Sequence, residues 1–300
     1  MSRLDVENTL GMLLKEIKTI FHTELNLQYG SQEVSSFFYI LIEHFLGLEK
    51  FVLSFQPYLV INKEEETPLF DALSKLKLNV PVQYIIGQAE FMDLTFKVNT
   101  HVLIPRPETE DLVRWILDDY KKLTTTETKP ISILDIGTGC GCIPISLVKN
   151  LEYSQVKALD ISVDALEVAK ANALSNGVEV DFYQGNILTG MPELRLPSNF
   201  DIIVSNPPYV RQLEKKEMHA NVLEHEPETA LFVSDEDPLV FYRAIAKFAE
   251  KHLAVDGCLY LEINQYLAAE LLELLKSFDF KQIELRKDIF GNDRMVKVSR

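Results

Sequence analysis

The sequence predicts an α/β fold, in which helices flank a mostly parallel, doubly wound sheet, preceded by a smaller helical region. Two observations carry this prediction. From about Ile131 onward, short apolar runs suited to strands alternate with segments of helical periodicity, and this alternation is typical of a parallel sheet. Before about residue 80, apolar residues recur at the three- and four-residue spacing of helices instead.

The N-terminal region, residues 1–80, is predicted to be a small helical domain. Pro68 follows Thr67 and suits the first position of a helix, where the N–H that proline lacks would have no intrahelical partner. No pattern of catalytic or metal-binding residues stands out in this region. The three segments with helical periodicity are Leu4–Phe21, Phe37–Leu48 and Pro68–Leu78.

A linking β-hairpin is predicted over residues 81–105. Two β-like runs, Ala89–Met92 and Leu94–Val98, lie on either side of Asp93. Because Asp tolerates the backbone conformations of tight turns, this spacing indicates a hairpin.

The remaining residues, 106–300, are predicted to form the α/β domain. Its first helix begins at Pro107 or Thr109 in "IPRPETEDLVRWIL", where acidic residues suit the positive end of the helix dipole. The last two strands, joined by a turn at Gly291, are expected to form an antiparallel edge hairpin. The polar stretch Arg211–Glu228 is interpreted as a lid or a partner-docking loop. The apolar runs that predict the other strands are "ISILDIG", "QVKALDIS", "VEVDFYQGN", "FDIIVSN" and "GCLYLEIN".

Composition indicates a globular protein of a reducing compartment. Hydrophobic residues make up 47% and charged residues 25%, which allows a sizeable core, and we expect no signal peptide and no membrane span. The net charge of −15 disfavours direct nucleic-acid binding, which uses Lys/Arg-rich surfaces, and suits either solubility or a basic protein partner. Cys140, Cys142 and Cys258 form neither a disulfide framework nor a metal-ligand set. We therefore expect a cytoplasmic protein without a metal.

A glycine-rich loop follows the first strand of the α/β domain in "LDIGTGCGCI". Gly137, Gly139 and Gly141 let the backbone approach a ligand closely, and the helix that follows offers free N–H groups at its N-terminus. A dinucleotide-binding loop requires a further glycine three residues after Gly139, where this sequence has Cys142. The loop therefore favours a ligand other than a nicotinamide or flavin dinucleotide.

Polar residues near the ends of three successive strands indicate the class of ligand. Asp135 precedes the loop, Asp160 ends the next strand and can accept hydrogen bonds from ribose hydroxyls, and Asn186 follows the third, where an amide suits an adenine edge. Taken singly, either acid is equally well explained as a helix cap. Together the residues indicate a nucleoside ligand without a pyrophosphate, and S-adenosylmethionine fits, with Asp135 and the loop N–H groups on its amino-acid part.

Several motifs in order resemble the HemK/PrmC family, the protein-(glutamine-N5) methyltransferases of peptide chain release factors. The matching stretches are "PVQYIIG", "VLIPRPETE", "LDIGTGCG", "SNPPYV", "EPETALF", "GCLYLEIN" and "KDIFGNDRMV". The resemblance is close over about residues 80–300. Before that, it consists only in the presence of a small helical domain, which carries few diagnostic residues. It implies a class I S-adenosylmethionine-dependent methyltransferase domain, Rossmann-like, behind an N-terminal substrate-recognition domain, with class I release factors as protein partners.

The resemblance also assigns site residues. Asn206, Pro207, Pro208 and Tyr209 are expected to hold the substrate glutamine. Apart from the resemblance, Arg106 lies between two prolines and is a candidate to shape the pocket entrance or, equally, to form a structural salt bridge. Ile187 replaces an aromatic residue found in many relatives, and Cys140 replaces a commoner threonine. The residues expected to bind the cofactor are Asp135, Gly137, Thr138, Gly139, Cys140, Gly141, Asp160, Asn186, Ile187 and Asn206.

The stretch "IIVSNPPYV" suits a clamp for an amide nitrogen, although Asn and Pro are also common in plain turns. The side-chain oxygen of Asn206 and the carbonyl of Pro207 can each accept one N–H of a carboxamide, which favours the charge that develops on its nitrogen. The two prolines stiffen the loop, and Tyr209 offers a flat face. We assign the catalytic role to Asn206, Pro207 and Tyr209.

Three alternatives remain open at this level. The NPPY tetrapeptide also occurs in adenine-specific DNA or RNA methyltransferases, but these predict basic stripes and a target-recognition domain that are not evident. A glutamine methyltransferase acting on a ribosomal protein has the same chemistry. A nucleoside-binding module without activity does not require the amide clamp.

Overall fold

The computed structural model describes residues 11–120, 129–189 and 199–300. They form two compact units. One contains the described residues up to Gly87 together with Ala220–His225, and the other contains Gln88–His219 and Glu226–Arg300. The hairpin that was predicted as a separate link therefore falls within the larger unit.

Three long helices build the smaller unit: α1 (Leu14–Tyr29), α2 (Ser31–Leu46) and α3 (Lys63–Leu76). Their apolar stripes meet in one core, in which the rings of Phe21 and Phe38 pack edge to face at 5.5 Å. The predicted segment from Leu4 lies partly outside the described residues. The unit also contains the short helices Val52–Phe55 and Val82–Ile86, and a two-residue pairing of Met12–Leu13 with Val60–Ile61.

The start of α3 corrects the prediction that Pro68 begins a helix. The helix begins at Lys63, because Asn62 and Glu65 form a reciprocal capping box: the Glu65 N–H donates to Asn62 Oδ1 and the Asn62 N–H donates to Glu65 Oε2, both at 3.0 Å. Two N–H groups that lack intrahelical partners are thereby satisfied. Pro68 lies inside the helix, so the prediction was wrong.

A short helix distant in sequence completes the smaller unit. Ala220–His225 belongs to this unit rather than to the one that contains its neighbours in the chain. Asn79 Nδ2 donates to Glu224 Oε2 at 3.0 Å, and the ring Nε2 of His225 lies 2.9 Å from the Leu78 carbonyl oxygen. The predicted loop Arg211–Glu228 is thus partly ordered into short elements, and its role as lid or docking loop stays a prediction.

The larger unit opens with the predicted hairpin, β1 (Gln88–Phe91) and β2 (Leu94–Lys97). Met92 and Asp93 both have positive φ, 51° and 60°, as a two-residue hairpin turn of the primed type requires. The prediction of a hairpin turning at Asp93 is confirmed.

A seven-stranded sheet forms the centre of the larger unit, in the order β8-β9-β7-β6-β3-β4-β5. Five neighbouring strands, β7, β6, β3, β4 and β5, are parallel to one another. β9 runs antiparallel to its two neighbours, β7 and β8. The strands are β3 (Ile131–Ile136), β4 (Ser154–Asp160), β5 (Asp181–Gln184), β6 (Phe200–Ser205), β7 (Leu253–Glu262), β8 (Gln282–Lys287) and β9 (Asp293–Ser299). The predicted mostly parallel sheet with an antiparallel edge hairpin is confirmed.

Helices cover the sheet and explain the apolar sequences of its central strands. β3 and β6 are buried on both faces, so they read as continuous apolar runs rather than alternating ones. The helices are α4 (Pro107–Tyr120), α5 (Cys142–Asn150), α6 (Val163–Ser175), α7 (Val240–His252) and α8 (Ala268–Lys276). Among the described residues, no helix combines the length and apolar character that crossing a membrane requires.

Short elements connect these strands and helices. A parallel two-residue pairing joins Val210–Arg211 to Phe232–Val233. Gln212–Glu217 and Gln265–Leu267 form 3₁₀ turns, and Glu228–Leu231 is a single helical turn.

Candidate active site

A cavity of about 690 Å³ opens at the carboxyl ends of the parallel strands. Successive strands are added on one side of β3 up to β5 and on its other side from β6 onward. Open α/β sheets bind ligands at such a switch point. Eleven of the predicted site residues line it: Arg106, Gly137, Thr138, Gly139, Cys140, Asp160, Asn186, Ile187, Asn206, Pro207 and Pro208. The other three, Asp135, Gly141 and Tyr209, are not among its lining residues.

The glycine loop turns sharply between β3 and α5. Gly139 has a φ of +54° and Gly141 a φ of +83°, values that side chains disfavour. A Cβ on Gly141 would also lie 3.2 Å from the Cβ of Ala169 in α6. Gly139 therefore brings backbone to the cavity, whereas Gly141 lets α5 begin close against α6.

Asp160 ties the glycine loop to the next strand. Its Oδ2 accepts the Gly139 N–H at 2.8 Å and its Oδ1 accepts the Ser162 N–H at 2.9 Å. Burial raises the pKa of Asp160, and these backbone N–H groups oppose the shift. The side chain of Ser162 accepts the Ala165 N–H and caps α6, so the helix-cap explanation does not apply to Asp160. Each carboxylate oxygen keeps a lone pair for a ligand.

Asn186 and Ile187 lie on the same rim of the cavity, after β5. Asn186 Oδ1 accepts the Leu188 N–H at 2.9 Å, which orients the side chain and leaves its NH₂ group as the donor available to a ligand. Ile187 packs against the core cluster beneath the sheet edge. It presents an aliphatic rather than an aromatic surface to the cavity.

Asp135 lies near the carboxyl end of β3 and is completely buried. Within the described part of the chain, neither of its carboxylate oxygens has a hydrogen-bond partner, and the buried hydroxyl of Thr138 has none either. Burial raises the pKa of Asp135 to about 7, and the nearby Thr138 hydroxyl opposes this only in part. Leaving buried polar atoms without hydrogen bonds destabilises a fold, so these atoms indicate a hydrogen-bond partner outside the protein chain, such as a ligand.

The buried carboxyl of Asp135 predicts an unusual pH dependence of stability. Its pKa of about 7 in the folded chain lies above an unfolded value near 4. The protonated form therefore stabilises the fold at low pH, and this stability is lost as pH rises through about 7. Between pH 5 and 8, we expect the ligand-free protein to lose about 2–3 kcal/mol of unfolding free energy relative to Asp135→Asn.

Urea unfolding of both proteins at pH 5 and 8 measures this difference. Asp71→Asn, at an exposed position of α3, is the control and should follow the wild type. If the unfolding free energies of wild type and Asp135→Asn changed in parallel with pH, the pKa of Asp135 would not be raised in the folded chain.

A chain of hydrogen bonds holds Asn206. Its Nδ2 donates to Thr109 Oγ1 at 3.1 Å, the Thr109 hydroxyl donates to Glu262 Oε2 at 2.6 Å, and the Tyr209 hydroxyl donates to Glu262 Oε1 at 2.9 Å. The amide oxygen of Asn206 takes no part in this chain. Sequence reasoning treated Thr109 only as a helix start and did not single out Glu262, although an acid inside the apolar run "CLYLEIN" was the available signal.

Tyr209 faces the core rather than the cavity. Its hydroxyl donates to the Glu262 carboxylate, its carbonyl accepts from Asn264 Nδ2 at 3.0 Å, and its ring packs against the core cluster. Burial, followed by the nearby Glu262 charge, raises the pKa of Tyr209 well above its usual value. The predicted contact between this ring and a substrate amide stays a prediction.

Of the two roles predicted for Arg106, the structure shows the salt bridge, and a part in shaping the pocket entrance stays a prediction. Arg106 lines the cavity, and its guanidinium pairs with Glu226 Oε1 at 2.5 Å. The buried Glu226 also accepts the Ile104 N–H at 3.2 Å. The segment after Glu226 supplies further lining residues: Pro227, Thr229, Ala230 and Phe232.

Comparison with known proteins agrees with this geometry. Residues 121–233, which include the glycine loop and the Asn206 segment, match the family described as "Methyltransferase small domain". The catalytic domain of hMettl16, solved with an RNA hairpin, superposes with a TM-score of 0.53 at 17% identity, covering 76% of this chain and 81% of that one. At this identity the likeness concerns the fold alone.

Relatives in sequence are closer and match almost end to end. The release factor glutamine methyltransferase of Flavobacterium psychrophilum is 49% identical over 96% of this chain and 99% of its own length. That of Bacteroides thetaiotaomicron is 39% identical over 91% of this chain and 95% of its own. With the sheet, the glycine loop and the Asn206 segment in place, the chain belongs to the release factor glutamine methyltransferase family.

Proposed function

We propose that this protein transfers a methyl group from S-adenosyl-L-methionine to the side-chain amide nitrogen, N5, of a glutamine. The substrate is the glutamine of the Gly-Gly-Gln motif in class I peptide chain release factors. The observation that supports this most directly is the position of Asn206. Its amide lies in the same cavity as the glycine loop and Asp160, with its nitrogen bonded to Thr109 and its oxygen outside that hydrogen-bond chain.

The polar groups of the cavity fit the proposed cofactor. The carboxylate of Asp160 suits the ribose hydroxyls, and the Asn186 amide suits the adenine edge. The loop N–H groups and the unpaired Asp135 suit the charged amino-acid part, since a cationic ammonium favours the ionised carboxyl. Bound there, S-adenosyl-L-methionine supplies an electrophilic methyl group carried on a sulfonium.

The chain itself positions and activates the glutamine nitrogen. A carboxamide nitrogen is a poor nucleophile because its lone pair is delocalised into the carbonyl, so alignment matters. Asn206 Oδ1 accepts one N–H and the Pro207 carbonyl accepts the other, which favours the positive charge that develops on nitrogen. Pro207 and Pro208 keep these acceptors in place. After transfer the nitrogen proton is acidic and leaves to water, so a strong general base is unnecessary.

Recognition of the release factor is assigned to the N-terminal helical region and to the hairpin β1–β2. A single glutamine side chain offers too little surface for specific binding, so a protein substrate requires contacts beyond the cavity. The net charge of −15 suits a basic protein partner better than direct binding to nucleic acid. The reaction belongs in the cytoplasm, where release factors act.

Mass spectrometry tests the proposed function. We expect purified class I release factor, incubated with this protein and S-adenosyl-L-methionine, to gain one methyl group on the glutamine of its Gly-Gly-Gln peptide. Parallel tubes contain duplex DNA or ribosomal proteins in place of the factor. An unmodified factor beside methylated adenine or a methylated ribosomal glutamine would replace the proposed substrate with that one.

A further inference from the structure

We infer that Thr109 and Glu262 are positioning residues that fix which end of the Asn206 amide faces the substrate. This inference rests on the proposed function and extends it to two residues outside the "SNPPY" motif. It starts from one property of Asn: its two ends have similar shapes but opposite hydrogen-bonding character. Only the orientation that presents Oδ1 to the substrate can accept an N–H from the glutamine amide.

The order of donors and acceptors selects that orientation. An ionised carboxylate accepts hydrogen bonds and donates none, so the single proton of the Thr109 hydroxyl points at Glu262 Oε2, 2.6 Å away. The Thr109 oxygen can then only accept from Asn206, which places Nδ2 at 3.1 Å from it. A flipped amide would set two acceptor oxygens against each other without a proton between them.

The groups that hold Asn206 are buried and belong to rigid elements. Thr109 is 2% exposed in the first turn of α4, and Glu262 is 1% exposed at the end of β7. β7 lies beside β6 in the sheet, where Leu261 pairs with Ser205, the residue before Asn206. The two positioning residues therefore reach Asn206 from a helix and from the adjacent strand.

Several groups around Glu262 offset the effect of its burial. Burial raises the pKa of its carboxyl and the negative charge of Glu108 adds to this, while the Thr109 and Tyr209 hydroxyls and the positive charge of Arg294 oppose the shift. Arg294 is itself held by the buried Asp288 at 3.2 Å. Both oxygens of the carboxyl accept a hydroxyl proton, from Thr109 and from Tyr209, and in its ionised form the group imposes the direction of the hydrogen bonds that lead to Asn206.

Thr109→Val and Thr109→Ser test the inference. Valine has nearly the shape of threonine but cannot donate or accept, so Asn206 becomes free to present either end. We expect Thr109→Val to lower kcat about 10- to 100-fold, with the KM for the release factor and the cofactor Kd within about twofold of the wild type. Thr109→Ser restores the hydroxyl and should recover most of kcat. Ser277→Ala is the control for the loss of a hydroxyl, because Ser277 is exposed, lies outside the cavity lining and bonds only the Leu274 carbonyl, at 2.6 Å.

The outcomes separate the inference from the proposed function. A wild-type protein that leaves the release factor unmethylated overturns both. If the wild type is active, a Thr109→Val variant with unchanged kcat, or a Thr109→Ser variant as impaired as Thr109→Val, overturns the inference alone. If Thr109→Val fails to fold, Glu262→Gln takes its place, because the NH₂ end of the glutamine amide can donate to the Thr109 hydroxyl, whose direction is then no longer fixed. An unchanged kcat would again contradict the inference.

Discussion

Asn206→Ala is expected to abolish methyl transfer while S-adenosyl-L-methionine still binds. The substitution removes the acceptor that favours positive charge on the glutamine nitrogen and leaves the Pro207 carbonyl alone to orient it. Loss of one such aligned group typically costs a factor of about 10²–10³ in kcat. A transfer assay measures the loss, and calorimetry measures cofactor affinity on the same preparation.

Two further variants define what the Asn206 experiment shows. Asn206→Asp keeps the shape and an acceptor but cannot donate to Thr109, so it should also be strongly impaired. Asn150→Ala removes an amide that bonds within α5 at 2.9 Å and lies outside the cavity lining, and it should turn over normally. Undiminished transfer by Asn206→Ala would remove Asn206 from the mechanism.

Asp160→Ala is expected to weaken cofactor binding by about 10- to 150-fold. Hydrogen bonds to a charged group contribute about 1.5–3 kcal/mol, which corresponds to this range of Kd. The carboxylate also accepts the Gly139 N–H, so its removal loosens the glycine loop in addition to the predicted ribose contacts. Calorimetric titration of S-adenosyl-L-methionine into each variant gives the Kd directly.

The controls for Asp160 separate hydrogen bonding from net charge. Asp164→Ala removes an exposed acid four positions along the chain that does not line this cavity, and its Kd should match the wild type. Asp160→Asn keeps one acceptor oxygen and should fall between the two. A Kd for Asp160→Ala equal to that of the wild type would mean that the ribose is bound by other residues.

Local patterns predicted where most residues of the candidate site lie. The glycine loop, Asp160, Asn186 and the Asn206 segment each follow a parallel strand, and the carboxyl ends of parallel strands meet at one edge of a sheet. Their convergence in one cavity therefore follows from the alternation of strands and helices. The same reasoning predicted the hairpin at Asp93, because its turn depends on neighbouring residues alone.

Features that depend on contacts distant in sequence were beyond this reasoning. Thr109, Asn206 and Glu262 meet only after α4, β6 and β7 have packed, so no local spacing relates them. Asp135 is completely buried and does not line the cavity, which local spacing did not predict because the direction in which a strand residue points depends on the whole sheet. The start of α3 differs from the prediction for another reason: the capping box of Asn62 and Glu65, six and three residues before Pro68, begins the helix earlier than a start at the proline would.

The smaller unit has a consequence for how this enzyme can be divided. Its helix Ala220–His225 is encoded far from the other helices, between the Asn206 segment and Glu226. Cutting the chain after Gly87 would leave Asn79 and Leu78 on one fragment and their partners Glu224 and His225 on the other. An exchange of the smaller unit between relatives must therefore transfer two separate stretches of gene together, and the loop that follows the Asn206 segment is constrained to change in step with the N-terminal helices.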